Sequence, residues 1–297
     1  MVQDYLEPIT EQIFLVHGEN QGRFPRAHAV LINAEKVVLI DTGCGIRRLQ
    51  AVQKEFAVSS VINSHTHIDH AAGNWVFHGK PILVPAEAFN SAGNLDRLSR
   101  RFVSEELAPV WQRFAQLELG FQDCPPTGMY NENTEFRFGD VVLTPVYTPG
   151  HTLDHYCLYF AAKRILFTFD YDLTKFPWYG HKESGLAEFR RSIARLEALP
   201  TDVVVSAHRG IIRENIRAEW EAFRQRLDDR NHRILALLDS PKTLEQLVQA
   251  APIYRRFPYQ EQLLRFWEGI MIQHHLQELE AAGKVSRQKT KIIRVKK

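Results

Sequence analysis

The run Ser64-His65-Thr66-His67-Ile68-Asp69-His70 places three imidazoles and a carboxylate within one short stretch. Imidazole nitrogen and carboxylate oxygen are the donors that borderline divalent cations such as zinc accept. The preceding stretch, Val58 to Asn63, reads as a short buried strand. His65 and His67, two apart at its end, point to one side and can share an ion. Asp69 and His70, on the turn that opens the next helix, face a second. One histidine in a polar loop would mean little, but three with an aspartate at this spacing point to metal. The chemistry on offer is hydrolysis, because a bound divalent cation lowers the pKa of water from 15.7 to about 7.

Four further motifs follow an ordered pattern: Ile40-Asp41-Thr42-Gly43, Thr148-Pro149-Gly150-His151-Thr152, Ile165-Leu-Phe-Thr-Phe-Asp170 and Val203-Val-Val-Ser-Ala-His208-Arg-Gly210. With the H-x-H-x-D-H run, they make the chain resemble the metallo-β-lactamase superfamily, and five ordered motifs are far more specific than one. The resemblance implies an α/β fold, a four-layer αββα sandwich with metals at one edge. It assigns His65, His67 and His151 to one ion and Asp69, His70 and His208 to the other, with Asp170 between them. Asp41 then holds a ligating histidine in one tautomer from behind. Two divalent ions are implied, zinc first, with iron or manganese as alternatives. Asp69 and Asp170 plus a bridging hydroxide leave such a centre at about +1, and Asp69 also serves as the catalytic group that steers the proton. Two departures stand out. Phe169 precedes Asp170 where the family usually has glycine, which keeps Asp172 as a competing bridge, and Ala207 replaces the glycine common before the last histidine.

Neither a Gly-x-Ser-x-Gly nucleophile turn nor a Gly-rich phosphate loop competes with this site. Tyr171, Trp178 and Tyr179 follow Asp170 and are candidates to line a substrate pocket. The expected activity is hydrolysis of a small ester, thioester, lactone or related molecule by a dinuclear centre. The alternatives are a nuclease or phosphodiesterase aided by the C-terminal module, an iron-dependent oxidoreductase in the same pocket, and a DNA-binding sensor of a metabolite.

The elements that must position these groups divide at about residue 215. Residues 1–215 carry every motif. Ile13–Val16, Ala29–Ile32 and Val37–Ile40 read as a β meander, and strands then alternate with helices, as in two sheets with helices outside. Glu87 to Tyr130 has helix-like spacing and stands equally as a pocket roof or as an extra hairpin over the sheet. His155 falls outside the motif and reads as a supporting histidine. Residues 216–297 read as a small, mainly helical, winged-helix-like domain. A long helix from Ile216 stops at Pro241, a capping box sits at Thr243-Leu-Glu-Gln246, a third helix spans about 260–282, and an edge strand covers Ile292 to Val295.

With 297 residues, 44% hydrophobic and 24% charged, the chain has ordinary globular composition. A net charge of +2 is too small to argue for nucleic acid. The basic tail from Lys284 to Lys297 could track phosphates, yet a solvated terminus, a domain packed on the core or a homodimer is favoured over it. Three unpaired cysteines, Cys44, Cys124 and Cys157, suit a reducing cytoplasm. An acidic N-terminus and the lack of a long apolar run suit a protein with no membrane partner. The expected partner is a small-molecule substrate.

Overall fold

The computed structural model describes residues 4–183 and 185–295. Met1 to Gln3 of the acidic N-terminus and Lys296 and Lys297 of the basic tail lie outside them. Among the described residues, one sheet holds β1 (Leu6–Pro8), β2 (Ile13–Val16), β3 (Ala29–Asn33), β4 (Val37–Ile40), β5 (Ser60–Ile62), β6 (Ile82–Pro85) and β7 (Gly128–Tyr130), in that order. Strands β2 to β4 form the expected antiparallel meander, which β1 extends by one further antiparallel strand, whereas β4 to β7 run parallel. The other sheet holds β8 (Phe136–Phe138), β9 (Val141–Tyr147), β10 (Tyr156–Phe160), β11 (Ile165–Phe169), β12 (Val203–Ser206) and β13 (Gly210–Ile212), again in order. Only its β11–β12 pair is parallel.

Side-chain alternation stacks these sheets. On β3, Val30 and Ile32 face the second sheet, while Ala29 and Leu31 face outward beneath a helix. On β12, Val203 and Val205 face inward and Val204 outward. Strands covered on both faces read as continuous apolar runs, which is why these stretches do not alternate in sequence. Helix α1 (Ile46–Glu55) covers the first sheet with Leu49 and Val52. The short α2 (Ile68–Ala71) follows β5, and α3 (Leu95–Phe102) and α4 (Ala108–Leu119) form the helical stretch between β6 and β7. Helix α5 (Leu186–Glu197) covers the second sheet with Phe189 and Ile193. The layers are therefore helix, sheet, sheet, helix.

Beyond residue 215 come α6 (Ile216–Leu237), α7 (Leu244–Ala250) and α8 (Glu261–Ala281), then the hairpin β14 (Val285–Gln288) and β15 (Lys291–Arg294). Thr243 and Gln246 form the expected capping box at the start of α7. A hairpin, rather than a lone edge strand, closes the chain, and Ile292 of β15 also bridges to Lys242. These helices bury Trp220, Phe223, Leu227, Met271 and Leu276 in the same cluster as Phe189 and Ile193 of α5. Arg190 of α5 adds ion pairs to Asp228 and Glu278, both at 2.7 Å. A second cluster joins Leu98, Phe102, Trp111 and Phe114 of the inserted helices to Leu263, Leu264 and Trp267 of α8. Glu268 and Glu278 are structural. Glu268 is fully buried and accepts from the Ile253 and Tyr254 amides. Among the described residues, no helix is long and apolar enough to cross a membrane.

Candidate metal centre

Every candidate ligand comes from the segment that follows a strand, at one edge of the sandwich. His65 and His67 follow β5, and α2 presents Asp69 and His70. His151 follows β9, Asp170 follows β11, and His208 follows β12. Two local devices hold these turns close. Gly150 has φ 126, and a Cβ there would lie 2.3 Å from the Phe189 nitrogen, so only glycine lets the His151 turn rest on α5. Gly43 lets the turn after Asp41 press against Asp69, whose carbonyl would meet any added Cβ at 1.4 Å.

Phe169 accounts for the departure noted in the sequence. Its φ of 48 lies in the left-handed region, where a non-glycine residue is strained by roughly 1–2 kcal/mol. Its ring is buried between the sheets, and burying a phenylalanine contributes about 1.5–3 kcal/mol. Burial therefore outweighs the strain. The β11–β12 register shifts between Phe167 and Phe169, a bulge of the kind that re-aims the next side chain, here Asp170.

The donor atoms fall into two groups, each with all its ligand atoms within 4.8 Å of one another: His65, His67, His151 and Asp170, then Asp69, His70, Asp170 and His208. Asp170 divides its oxygens between them. Oδ2 lies 3.1 Å from His151 Nε2 and 3.8 Å from His65 Nε2. Oδ1 lies 2.8 Å from His70 Nε2 and 3.3 Å from His208 Nε2. Despite its short distance, the His70 Nε2 and Asp170 Oδ1 pair lacks hydrogen-bond geometry, and both atoms are buried and unsatisfied. Leaving such atoms unpaired costs on the order of 1–3 kcal/mol each. His67 Nδ1 sits 3.1 Å from His65 Nε2 and 2.8 Å from His151 Nε2. Converging nitrogens and carboxylate oxygens with orphaned buried atoms fit a pair of divalent cations. Asp172 belongs to neither group, so the geometry gives the shared position to Asp170.

Hydrogen bonds behind the ligands fix which nitrogen faces the site. The Nδ1 of His70 donates to Asp41 at 2.8 Å, that of His151 to the Trp178 carbonyl at 2.9 Å, and that of His208 to the Gly22 carbonyl at 2.7 Å. Asp41 is fully buried and also accepts from the Ser64 amide and hydroxyl, both at 2.7 Å. Burial drives the His65 and His67 imidazoles well below their usual range, which keeps their lone pairs available. Burial also opposes charge on His70 and His208, but Asp170 overrides it and raises both, His208 to about 9. Burial opposes charge on Asp170 as well, and His70 and His208 nonetheless hold its carboxyl well below the usual range. A cation replaces such protons when it binds.

Several supporting residues escaped sequence reasoning. Thr66, between His65 and His67, gives its amide and hydroxyl to Asp154 at 2.8 and 2.7 Å. Arg101 of α3 reaches Asp154 at 3.1 Å and Thr66 at 3.2 Å. It lies 53 positions from Asp154, and no local spacing signals their meeting. His155 is buried, with Nδ1 2.8 Å from the Thr148 hydroxyl and Nε2 accepting from the Asp170 amide at 3.3 Å, which matches its supporting role.

Of the three candidate pocket residues, only Trp178 borders the cavity. Its ring meets His67 and His151 at centroid distances of 5.1 and 5.3 Å. Tyr171 and Tyr179 are corrected: both are fully buried in the core beneath. Tyr171 stacks on Phe189 and donates to the Pro149 carbonyl at 2.8 Å, bracing the turn that carries His151. Tyr179 bonds His275 and Arg230. The bulky rings leave the surface because the chain doubles back onto α5 and α6. The cavity measures about 350 Å³ and reaches His67, Asp69, His151, Asp170 and His208.

The metallo-beta-lactamase superfamily model matches residues 23–208. Two relatives with named activities are similar to the chain. An atrochrysone carboxyl ACP thioesterase of Aspergillus fumigatus is 24% identical over 248 residues, covering 79% of this chain and 67% of that protein. An N-acyl homoserine lactonase of a Bacillus species is 28% identical over 122 residues, covering 39% of each. The fungal relatives extend beyond the match, which spans about two thirds of their length. Among solved structures, a metallo-beta-lactamase family protein of Thermus thermophilus superposes with a TM-score of 0.75 at 23% identity, covering 97% of this chain and all of that one.

Proposed function

The chain belongs to the metallo-beta-lactamase superfamily, and from that premise we propose that it is a two-cation hydrolase of a carbonyl ester, thioester or lactone. The observation that carries this reading is the Asp170 carboxylate, with one oxygen turned to each group of donors. His65, His67 and His151 would hold one cation, and Asp69, His70 and His208 the other, zinc being the first choice for this donor set. When bound, the pair supplies an acidified water and positive charge for the carbonyl oxygen.

The chain's own residues do the remainder. Asp41, the Trp178 carbonyl and the Gly22 carbonyl each hold one imidazole in the tautomer that offers Nε2 to the cleft. Asp69 borders the cavity with Oδ2 3.7 Å from His208 Nε2, within reach of the attacking water for taking its proton. Trp178 and Phe102, packed on His67, keep bulk water from the ligands. A carbonyl substrate is favoured because the curated relatives with named activities act on a thioester and a lactone.

The test is elemental analysis of purified protein, paired with a panel of ester, thioester, lactone and phosphodiester substrates. About two divalent ions per chain, with turnover of carbonyl substrates lost on chelation and restored by metal, is the expected result. One ion or none at full activity, or turnover confined to phosphodiesters, would overturn it.

A further inference from the structure

Beside the ligands, the cleft changes character abruptly. Its far wall is formed by Phe102, Trp111 and Phe114 from the inserted helices α3 and α4, by Leu264 and Trp267 from α8, and by Phe24 at the mouth. All six side chains are apolar or aromatic. The wall is assembled from three parts of the chain, and its back is a single packed cluster in which the inserted helices meet α8. It is also held in place. Trp178 Nε1 donates to the Tyr254 hydroxyl at 2.8 Å, and Trp267 Nε1 donates to the Phe102 carbonyl at 3.1 Å. These two indoles are thus anchored at their polar edges, and the remaining rings are held by packing. Phe24 and Tyr259 remain 41% and 47% exposed at the rim, an arrangement that favours an apolar guest over water.

His208 also borders an open depression of about 640 Å³, in which His17, Arg23, Arg48 and Arg209 outnumber the single acidic residue, Glu19. Arg23 and His208 border both spaces. Arg26 pairs with Glu19 and Arg209 with Glu219, whereas Arg23 has no ion-pair partner among the described residues. An apolar chamber and a cationic, hydrogen-bonding one therefore meet at the proposed cations.

Resting on the hydrolase reading above, we propose that the substrate is an ester or thioester joining an extended apolar acyl group to a polar leaving group. The acyl chain occupies the aromatic chamber, the scissile carbonyl lies at the His208 junction, and the leaving group exits past Arg23. In the hydrolysis, water adds its oxygen to the acyl carbon as the acyl–oxygen or acyl–sulfur bond breaks. The products are a carboxylic acid in the chamber and the protonated alcohol or thiol. The C-terminal helices are in this account a substrate-binding wall of the enzyme.

Two measurements on the full-length protein separate this proposal from the one beneath it. The first is kcat/KM for S-acyl-N-acetylcysteamine thioesters from acetyl to dodecanoyl. Each methylene buried should raise it by about threefold to fourfold until the chamber is full. A flat or falling series would overturn the proposal while leaving the hydrolase intact, and so would decyl acetate being cleaved faster than methyl decanoate. The second needs no turnover: decanoate should quench tryptophan fluorescence, because Trp111, Trp178 and Trp267 line the chamber, whereas acetate should not. Leu264→Arg should weaken decanoate binding at least tenfold and lower the decanoyl-to-acetyl ratio, with metal content and circular dichroism reporting that the fold persists. Equal quenching by acetate and decanoate, or an unaltered ratio in folded Leu264→Arg, would also overturn the proposal. Absence of all esterase and thioesterase activity with decanoate still bound would instead overturn the hydrolase reading and keep the apolar chamber.

Discussion

The floor and the wall of this cleft are built by opposite means. The floor is made of short turns after β5, β9, β11 and β12, and its ligands are tied from behind by a carboxylate or a backbone carbonyl. The wall is made of rings from α3, α4 and α8, positioned mainly by packing against one another. Hydrogen bonds fix a donor atom within a few tenths of an ångström, as metal coordination requires. Packing fixes a shape and excludes water without dictating one atomic position. Damage to the floor should therefore abolish function outright, whereas damage to the wall should change which molecules are accepted.

The sharpest way to break that contrast is Asp170→Ala. Because one carboxylate faces both donor groups, its removal should empty both positions together, dropping metal content and hydrolysis to background. Elemental analysis reads this directly. Retention of two ions per chain would mean that Asp172, whose carboxyl burial raises to about 6, or another group takes over, and that the floor is more forgiving than its geometry implies.

Next come the supports. Asp41→Asn keeps the size but replaces an acceptor oxygen with an amide, at a site where three donors already converge. Asp154→Asn weakens the clamp from Arg101 onto Thr66, between His65 and His67. Supports of this kind typically contribute about 10–100-fold in metal affinity or activity, and competition with a metal-binding dye would quantify the change. Asp41→Asn should fall at the larger end, since it acts on His70 directly. An effect below threefold in both would show that the turns are held by their strands alone.

The same contrast explains what the sequence discloses. Floor residues arrive in compact runs at the ends of apolar strands, so His65 to His70 stand out as candidate ligands from residue type and spacing, and His151, Asp170 and His208 through the resemblance that their motifs carry. The β meander, the helices from Ile216 and Glu261 and the Thr243 capping box are legible for a similar reason, since each is written in local periodicity. Wall residues are not. Phe102, Trp111 and Trp267 sit on helices whose apolar spacing is identical whether a ring meets core or cavity. Tyr171 and Tyr179 illustrate the converse, aromatic neighbours of a ligand that turn inward beneath the site. Arg101 and Asp154 meet across 53 residues, a pairing that only the folded chain creates.

Arg230 of α6 links the two regions and can test whether they are separable. It is buried, with its guanidinium over the Phe176 and Tyr179 rings at 4.6 and 5.2 Å, and it donates to the Pro177 carbonyl and Tyr179 hydroxyl at 2.6 and 2.7 Å. It thereby holds the segment whose Trp178 carbonyl orients His151. Arg230→Met should lower stability by about 3 kcal/mol, as expected when hydrogen bonds from a charged group are lost and a carbonyl is left unpaired. It should also reduce kcat several-fold, because His151 loosens. Urea denaturation and steady-state kinetics check the two parts. Stability loss with kcat untouched would show that the wall and floor are mechanically independent.

The smallest predicted effect concerns acid. His275 on α8 donates from Nδ1 to Asn231 at 2.8 Å, and its Nε2 accepts from the Tyr179 hydroxyl at 2.6 Å, which itself accepts from Arg230. Burial and then Arg230 push this imidazole well below its usual range. Protonation would place a second N–H against a hydroxyl oxygen already engaged by Arg230, and a second positive charge beside it. The unfolded chain, with an ordinary histidine pKa of about 6.5, binds this proton more readily than the folded chain does. The neutral-imidazole contribution is thus fully present above about pH 6.5 and is lost as pH falls below that value. Unfolding free energy should decline between about pH 6.5 and 5 with a slope that His275→Gln reduces by at most about 1.4 kcal/mol per pH unit. The comparison is made on chelator-treated protein, so that metal release does not contribute. Parallel stability curves for the two proteins would mean that His275 is protonated without penalty, and that the junction between α6, α8 and the Trp178 segment is looser than its hydrogen bonds suggest.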